Sequence, residues 1–368
     1  MKFACTQLSL NKALLTVDKA VSNRTTNPVL KGILLNVKEN RLFLTASDLD
    51  LSIETSIEVQ ADNEGAVVVN AKLFEDIIRK LPSSIIKIEE DAGKLIITCL
   101  GSEFNIVTLP ADEFPGIGMA NNIDKINIDK DVVKNLIKKT SFAASIDEKK
   151  GTLTGCLMSL SDNEIEFAAL DGFRLAVAKD KINYSGKERK VIIPARILNE
   201  VSKILADSAE SDISIILDEK KVEIFTDETR IVIRLLEGEF IKYKDIIPKE
   251  HKTRIIVAAS DLQSSIERAS LLAKEGKNNL IKLNISNNNI EITSRSEEGN
   301  VKENISVEQT GDDIVIGFNS KYLIDVLKNC NDEEIAFEMN SAVTACLAKP
   351  VEGDSYTYMI LPVRISAS

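Results

Sequence analysis

The chain has 368 residues, with 46 Lys+Arg against 57 Asp+Glu, and a net charge of −11 with its single His neutral. That length allows two or three domains, each able to bury its own core, and 44% hydrophobic with 28% charged residues excludes a disordered or membrane-embedded chain. As a bulk property the acidity counts against nucleic acid, because duplex binding neutralises phosphates; net charge, however, does not say where the charges sit.

The N-terminal MKFACTQLSLNKALLTV is broken by Gln7, Asn11 and Lys12 and lacks a small-residue cleavage pattern, so it does not read as a signal peptide. No apolar run approaches the ~18 residues of a membrane span, and a cytoplasmic protein is expected. A helical pattern at LSLNKALLTVDKAV (8–21) is followed by a polar turn with an alternating strand, ENRLFLTA (39–46). An apolar strand running into an amphipathic helix, VVVNAKLFEDIIRKL (67–81), completes the set. The same order returns as DKDVVKNLIKKTSF (129–142), DNEIEFAA (162–169) and VIIPARILNEVSKIL (191–205). It returns again as SDLQSSIERASLLAK (260–274), with Ser260 placed to cap the helix, then NNNIEITS (287–294) and VIGFNSKYLIDVLKN (315–329).

The turn blocks are offset by 123 and 125 residues and the strand-helix blocks by 124 and 124. Two blocks sharing one spacing make the chain three copies of one domain, expected at 1–120, 125–247 and 250–366. Each copy mixes two helices with about four strands, without strict strand-helix alternation, which predicts an α+β domain built on antiparallel sheet. The last segment, YMILPVRI (358–365), is apolar and holds a Pro that a central strand would reject. Tyr358–Leu361 is expected to be an edge strand, and the remainder either its end or one wall of a groove for a partner peptide.

Little in the chain resembles catalytic machinery. Cys5, Cys99, Cys156, Cys330 and Cys346 are odd in number and far apart, which fits reduced core thiols rather than disulfides or zinc ligands. His251 is the only histidine, and no phosphate-binding loop, dinucleotide fingerprint, zinc-protease or nucleophile-elbow motif occurs. The acidic runs 89–91 and 332–334 read as solvated turns, and Asp171-Gly-Phe-Arg-Leu175 as a structural turn; no metal or cofactor is expected.

The positive charge, by contrast, has a pattern. The second helix of each copy carries a basic residue at Lys72, Arg196 and Lys321 and another seven positions later at Arg79, Lys203 and Lys328. Seven residues are nearly two turns, so both members share a side, opposite the apolar stripe of Phe74, Ile77, Ile78 and Leu81 or Leu198, Val201 and Leu205. The first helices add Lys12 and Lys19 with Arg24 beyond, then Lys134, Lys138 and Lys139, then Arg268 and Lys274. Solvation of exposed helix faces explains one such pair; recurrence in three copies points to a surface that faces a polyanion. Without interleaved aromatics, that surface fits sequence-blind phosphate contact rather than base stacking. An α+β enzyme acting on an anionic substrate is the alternative.

Met1-Lys-Phe3, NPVLKGILL (27–35) preceded by Arg24, Leu109-Pro with Phe114-Pro, ALDGFRLA (169–176) and LPVRI (361–365) together resemble the bacterial DNA polymerase III β subunit family, the replicative sliding clamps, from end to end. The resemblance implies a non-catalytic, head-to-tail homodimer: a six-domain ring encircling duplex DNA and tethering the polymerase III catalytic subunit, the clamp loader and other polymerases or repair proteins through short peptides. It adds Lys149 and Lys150 to the DNA-facing Arg24, Lys72 and Arg196. It implies a peptide pocket of Leu153, Leu170, Gly172, Phe173, Arg174, Leu175, Ile241, Ile246, Val343, Thr344, Met359, Leu361, Pro362, Val363 and Arg364. It implies subunit contact through Phe104 and Ile106 on a first-domain strand and Leu271 and Leu272 on a third-domain helix. Leu170, Phe173 and Asp245 depart from residues frequent in the family, which predicts a more apolar pocket with altered peptide preference, and Ser366–Ser368 extends past the usual end.

Overall fold

The computed structural model describes residues 1–22, 25–118, 125–275 and 279–365. The three polar turns are two-residue hairpin loops, and each places both residues in the left-handed region: Glu39 and Asn40 (φ 51 and 59°), Asp162 and Asn163 (47 and 61°), Asn287 and Asn288 (52 and 57°). This turn twists in the same sense as the strands it joins, and Asn and Asp accept the left-handed conformation more readily than most residues. The sequence repeat is therefore a repeat of hairpin geometry.

Six helices follow the predicted blocks: α1 (Gln7–Val17), α2 (Ala71–Lys80), α3 (Lys130–Thr140), α4 (Ala195–Asp207), α5 (Ala259–Ala273) and α6 (Ser320–Asn329). Asn70 caps α2 by accepting from Leu73 N at 2.9 Å, and Asn319 caps α6 by accepting from Lys321 N at 3.0 Å. The apolar stripes are buried as the periodicity requires, with Phe74, Ile78, Val201 and Leu205 fully enclosed. Gln7 reaches from α1 to α2, donating through Nε2 to Ile78 O at 2.8 Å. Ser260 does not cap α5. The helix already includes Ala259 and Ser260, so Ser260 lies inside its first turn rather than at the cap, and Ala259 N, the first amide of the helix, donates to Glu333 O at 2.8 Å.

Two compact units make up the fold, Met1–Asp131 with Glu200–Leu235 and Val132–Asn199 with Leu236–Ser368. The repeats run across this division because their strands join edge to edge. In the first unit, strand Thr229–Arg234 of the second copy pairs antiparallel with Leu51–Glu58 of the first, Ile231 opposite Ile53, inside a 13-stranded sheet. In the second unit, strand Tyr356–Ile360 of the third copy pairs with Arg174–Lys181 of the second, Tyr358 opposite Ala176, inside a nine-stranded sheet. The expectation of a C-terminal edge strand is thus corrected: Tyr356–Ile360 lies between Arg174–Lys181 and Cys346–Pro350. Pro362 falls after the strand ends, so it removes no ladder hydrogen bond.

All five cysteines are free thiols, and only Cys330 is not fully buried. Burial pushes the Cys5 and Cys156 thiols up to about 12 from the usual 9.0. A folded-state value above the unfolded one contributes stability below pH 9 that is lost as pH rises toward about 12. A thiol reagent at neutral pH is expected to label Cys330 first in the folded chain and all five cysteines in denaturant; equal rates in the folded chain would contradict the packing.

Candidate functional site

The second unit carries a concentrated apolar surface. Its floor is a buried cluster of Leu157, Ala168, Leu170, Leu175, Val177, Ile192, Tyr243, Leu347 and Met359, against which Leu153, Leu236, Phe240 and Ile247 are partly buried. Around that floor stand large apolar side chains that remain exposed: Phe173 (55%), Ile241 (45%), Ile246 (47%), Val343 (67%) and Leu361 (39%). A patch with a packed floor and an apolar rim marks an interaction site rather than ordinary surface.

The turn 171–174 builds one side of it. Asp171 Oδ1 accepts from Phe173 N at 2.8 Å and Arg174 N at 3.1 Å, and Gly172 sits at φ +97°, where a side chain would be strained. Arg174 is buried and fully engaged. Its Nε donates to Asp171 Oδ2 at 3.1 Å and one terminal nitrogen to Phe142 O at 2.6 Å, while the other bonds Asp325. Its guanidinium lies 4.7 Å from the Tyr322 ring centroid and 5.4 Å from that of Phe142. Phe173 stacks on Tyr322 at 6.3 Å, and Lys150 lies over Phe173 at 5.7 Å. Arg174 is therefore held in the turn with Nε and both terminal nitrogens engaged.

The chain end forms the facing wall. Leu361 N donates to Phe173 O at 2.9 Å, and two residues on Val363 N donates to Gly317 O at 2.8 Å. These two bonds carry Pro362 and Val363, both half-buried, and leave Arg364 exposed. Thr344 is exposed and exchanges a hydroxyl bond with Ser341 at 3.0 Å, shaping the turn that presents Val343. Asp245 ends a short turn beginning at the buried Tyr243, whose hydroxyl bonds Glu166; burial and then that carboxylate hold the phenol well above its ordinary range. All fifteen residues expected in the pocket lie in this unit. Tyr322, Phe142 and Asp325, which hold the rim, were missed: they are remote in sequence, and only the acid at Asp325, which recurs at Asp76 and Glu200, could have drawn attention to them.

In the first unit the repeated turn carries different side chains. Asp48 Oδ1 accepts from Asp50 N at 3.1 Å and Leu51 N at 2.7 Å, as Asp171 does, and Leu49 takes the left-handed position at φ 77°. The Phe173 counterpart, however, is Asp50, and the counterpart of the floor is a smaller cluster of Val29, Val68 and Phe114.

The chain matches family models for the DNA polymerase III beta subunit, the N-terminal domain at residues 1–118, the central domain at 127–242 and the C-terminal domain at 244–364. It is 38% identical over 357 residues to the beta sliding clamp of Staphylococcus epidermidis, covering 94% of each chain. The chain belongs to the DNA polymerase III beta subunit family. Its structure superposes on the Bacillus subtilis DNA polymerase sliding clamp with a TM-score of 0.96 at 35% identity, covering 99% of both chains. A putative DNA polymerase III beta subunit from Eubacterium rectale gives 0.95 at 33% identity, covering 99% of this chain and 100% of the other. The architecture is accordingly three clamp domains of helices on antiparallel sheet. The family is a non-catalytic replication subunit, and the alternative of an enzyme acting on an anionic substrate has no support.

Against that family background, the basic helix positions divide into two kinds. Lys12, Lys72 and Lys321 are exposed and carry no ion pair among the described residues. The later residue of each pair has an acidic neighbour: Arg79 bonds Asp76, Lys203 bonds Glu200 at 2.8 Å, and Lys328 lies 3.4 Å from Glu267. Lys72 and Arg79 do share a side, lining with Lys31, Asp18, Glu75 and Asp76 a concavity of about 560 Å³. There burial, and then repulsion from Asp18, raises the Glu75 carboxyl above its ordinary value. Arg196 is exposed on α4, Lys134 is half-buried on α3, and Lys138 donates to Asn331 at 2.7 Å. Lys149 is exposed, whereas Lys150 donates to Asp171 O at 2.8 Å and belongs to the apolar rim. Arg24 and Ser366–Ser368 lie outside the described residues.

No helix among the described residues is long and apolar enough to cross a membrane.

Proposed function

We propose that the chain is a sliding clamp: a processivity factor that closes into a ring as a head-to-tail dimer, encircles duplex DNA without reading its sequence, and tethers replication proteins through the groove of the second unit. The single observation that carries the closure is a pair of open strand edges. Each internal junction pairs one strand of a copy with one of the next, Leu51–Glu58 with Thr229–Arg234 and Arg174–Lys181 with Tyr356–Ile360. Their counterparts at the ends of the series are Asn300–Ser306, an edge strand, and Ser102–Val107, whose outer side is unpaired among the described residues. A second copy supplies the missing partner to each, a heterologous contact that closes after two subunits.

Side chains at those edges support the same pairing. Phe104 is 38% exposed and Leu271 65%, Leu272 is half-buried, and Ile106 is already inside its own core. Phe104 borders a cavity of about 270 Å³ with Ile77, Leu81 and Pro82, which suits an aliphatic side chain from a partner helix. Sedimentation should give twice the chain mass, and Phe104→Asp should return it to the single-chain value. A monomeric unsubstituted chain at micromolar concentration would remove the basis for a ring.

The exposed cations of the helices, Lys12, Lys72, Lys321, Arg196 and Lys149 among them, are read as phosphate contacts, each weak enough to exchange as the ring slides. Arg24, Lys134, Lys138 and the ion-paired Arg79, Lys203 and Lys328 extend that surface. Lys150 contributes to the groove instead. The groove suits a short peptide with adjacent aliphatic and aromatic residues, the first reaching the Leu170, Leu175 and Met359 floor and the second meeting the Phe173 rim. The polymerase III catalytic subunit, the clamp loader and other polymerases or repair proteins are the partners this reading assigns to it.

A further inference from the structure

The end of every copy returns to the strand that leads into its second helix, and the third copy does so differently. Leu109 lies opposite Val68 in the first, Leu236 N donates to Ile192 O in the second at 2.9 Å, and Val363 N donates to Gly317 O in the third at 2.8 Å. In the first two copies a β-branched residue holds this position and a glycine faces it from the adjacent strand. A Cβ on Gly32 would meet Val68 Cγ1 at 2.4 Å, and one on Gly155 would meet Ile192 Cγ2 at 2.8 Å. The third copy exchanges the two sizes: Leu280 stands where Gly32 and Gly155 stand, and Gly317 where Val68 and Ile192 stand.

The exchange moves the empty space to the side on which the chain end lies. A Cβ on Gly317 would fall 2.8 Å from Val363 O, 2.9 Å from Ile365 Cγ1 and 3.0 Å from Leu280 Cδ1. Leu280 lies beside Gly317 on the same face of the sheet, and the final segment packs directly on the backbone of strand Ile314–Asn319. The first of those contacts is to backbone, which cannot swing aside like a side chain, and Gly317 does not have a positive φ, so closeness rather than conformation demands the glycine here.

We propose that Gly317 is the positioning residue that seats the C-terminal wall of the apolar groove, fixing how far Pro362, Val363 and Arg364 stand from the Phe173 rim and hence which side chains the groove admits. The inference rests on the reading of that surface as a peptide site. It follows from a size exchange confined to the third copy, whose last residues form the C-terminal wall, whereas the first copy keeps the opposite arrangement and serves as an internal control.

The test uses the full-length chain with two variants, Gly317→Ala and the paired Leu280→Gly with Gly317→Val, which rebuilds the arrangement of the first two copies and so preserves packing volume. Binding of a fluorescein-labelled acetylated hexapeptide ending in Leu-Phe is followed by anisotropy, and amide exchange is followed over residues 361–365 and over Leu280–Ser286. Both variants should bind about tenfold more weakly, with faster exchange at Val363 and unchanged protection over Leu280–Ser286. Unchanged affinity, or weaker binding with no change in exchange at Val363, would overturn the role of Gly317. Failure of the unsubstituted chain to bind the peptide would instead count against the groove reading, and the exchange at Val363 would still decide whether Gly317 seats the wall.

Discussion

Replacing Arg174 with Ala is expected to lower the unfolding free energy by about 3 kcal/mol, more than any substitution elsewhere on the groove. The guanidinium is 9% exposed and lies between carboxylates that are themselves 13% (Asp171) and 26% (Asp325) exposed. Removing it leaves two poorly hydrated negative charges facing each other, an unpaired Phe142 carbonyl and a gap between the rings of Phe142 and Tyr322. Most of the cost is the stranded partners rather than the pair itself. Arg174→Lys keeps the charge but loses the planar fork and the stacking, so it should recover less than half of the loss. Urea titration of the three chains checks this; a loss below 1 kcal/mol for Arg174→Ala would mean that water replaces the guanidinium easily and that the site is not dry.

Replacing Phe173 and Leu361 together with Ala should have the opposite profile. Both side chains are substantially exposed, 55% and 39%, so folding depends little on them, and stability should change by about 1 kcal/mol or less. Both nevertheless stand at the rim, Phe173 stacked on Tyr322 and Leu361 tied to it through the Phe173 carbonyl. Loss of two central apolar anchors should weaken binding of the same Leu-Phe hexapeptide by about 100-fold. The dimer mass and retention on DNA should be unaffected. Binding within threefold of the unsubstituted chain would place the peptide elsewhere.

What the sequence made legible was local. Two-residue turns with Asn and Asp, a strand running into a helix, and apolar positions at helical spacing are each fixed by neighbours within a dozen residues, and these revealed the threefold repeat. What it concealed was pairing between distant segments. Tyr356–Ile360 is an interior strand only because Arg174–Lys181 of another copy takes its outer edge, and nothing local to the apolar segment 358–365 announces that. Ser260 is not a cap because the helix begins before it, at Ala259, whose amide is held by Glu333 O from a distant strand end. The stripe of basic residues was visible, but the acids that temper it were not weighed, although Asp76 and Glu200 lie three positions before Arg79 and Lys203. Lys150 shows the limit of position alone: adjacent to the exposed Lys149, it is drawn to the Asp171 carbonyl and the Phe173 ring.

Of the apolar floor, the family resemblance named Leu170, Leu175 and Met359, and the rest was not legible. Leu157, Ile192, Tyr243 and Met359 are ordinary core residues in any local reading, and they become the base of a site because the rim above them fails to close. The first copy differs at both levels, with a smaller cluster of Val29, Val68 and Phe114 and with Asp50 in place of the rim aromatic. A net charge of −11 is compatible with DNA on the same terms: what matters is the face on which the cations are exposed, not their sum.

Topology separates a ring closed around DNA from a protein that holds DNA by surface contact alone. The chain should be loaded onto nicked circular duplex, passed through a sizing column at salt high enough to remove non-specific contacts, and passed again after a single cut linearises the circle. A ring closed around DNA co-elutes with the circle and is released by the cut. Equal retention on circular and linear DNA, or loss from both, would contradict encirclement.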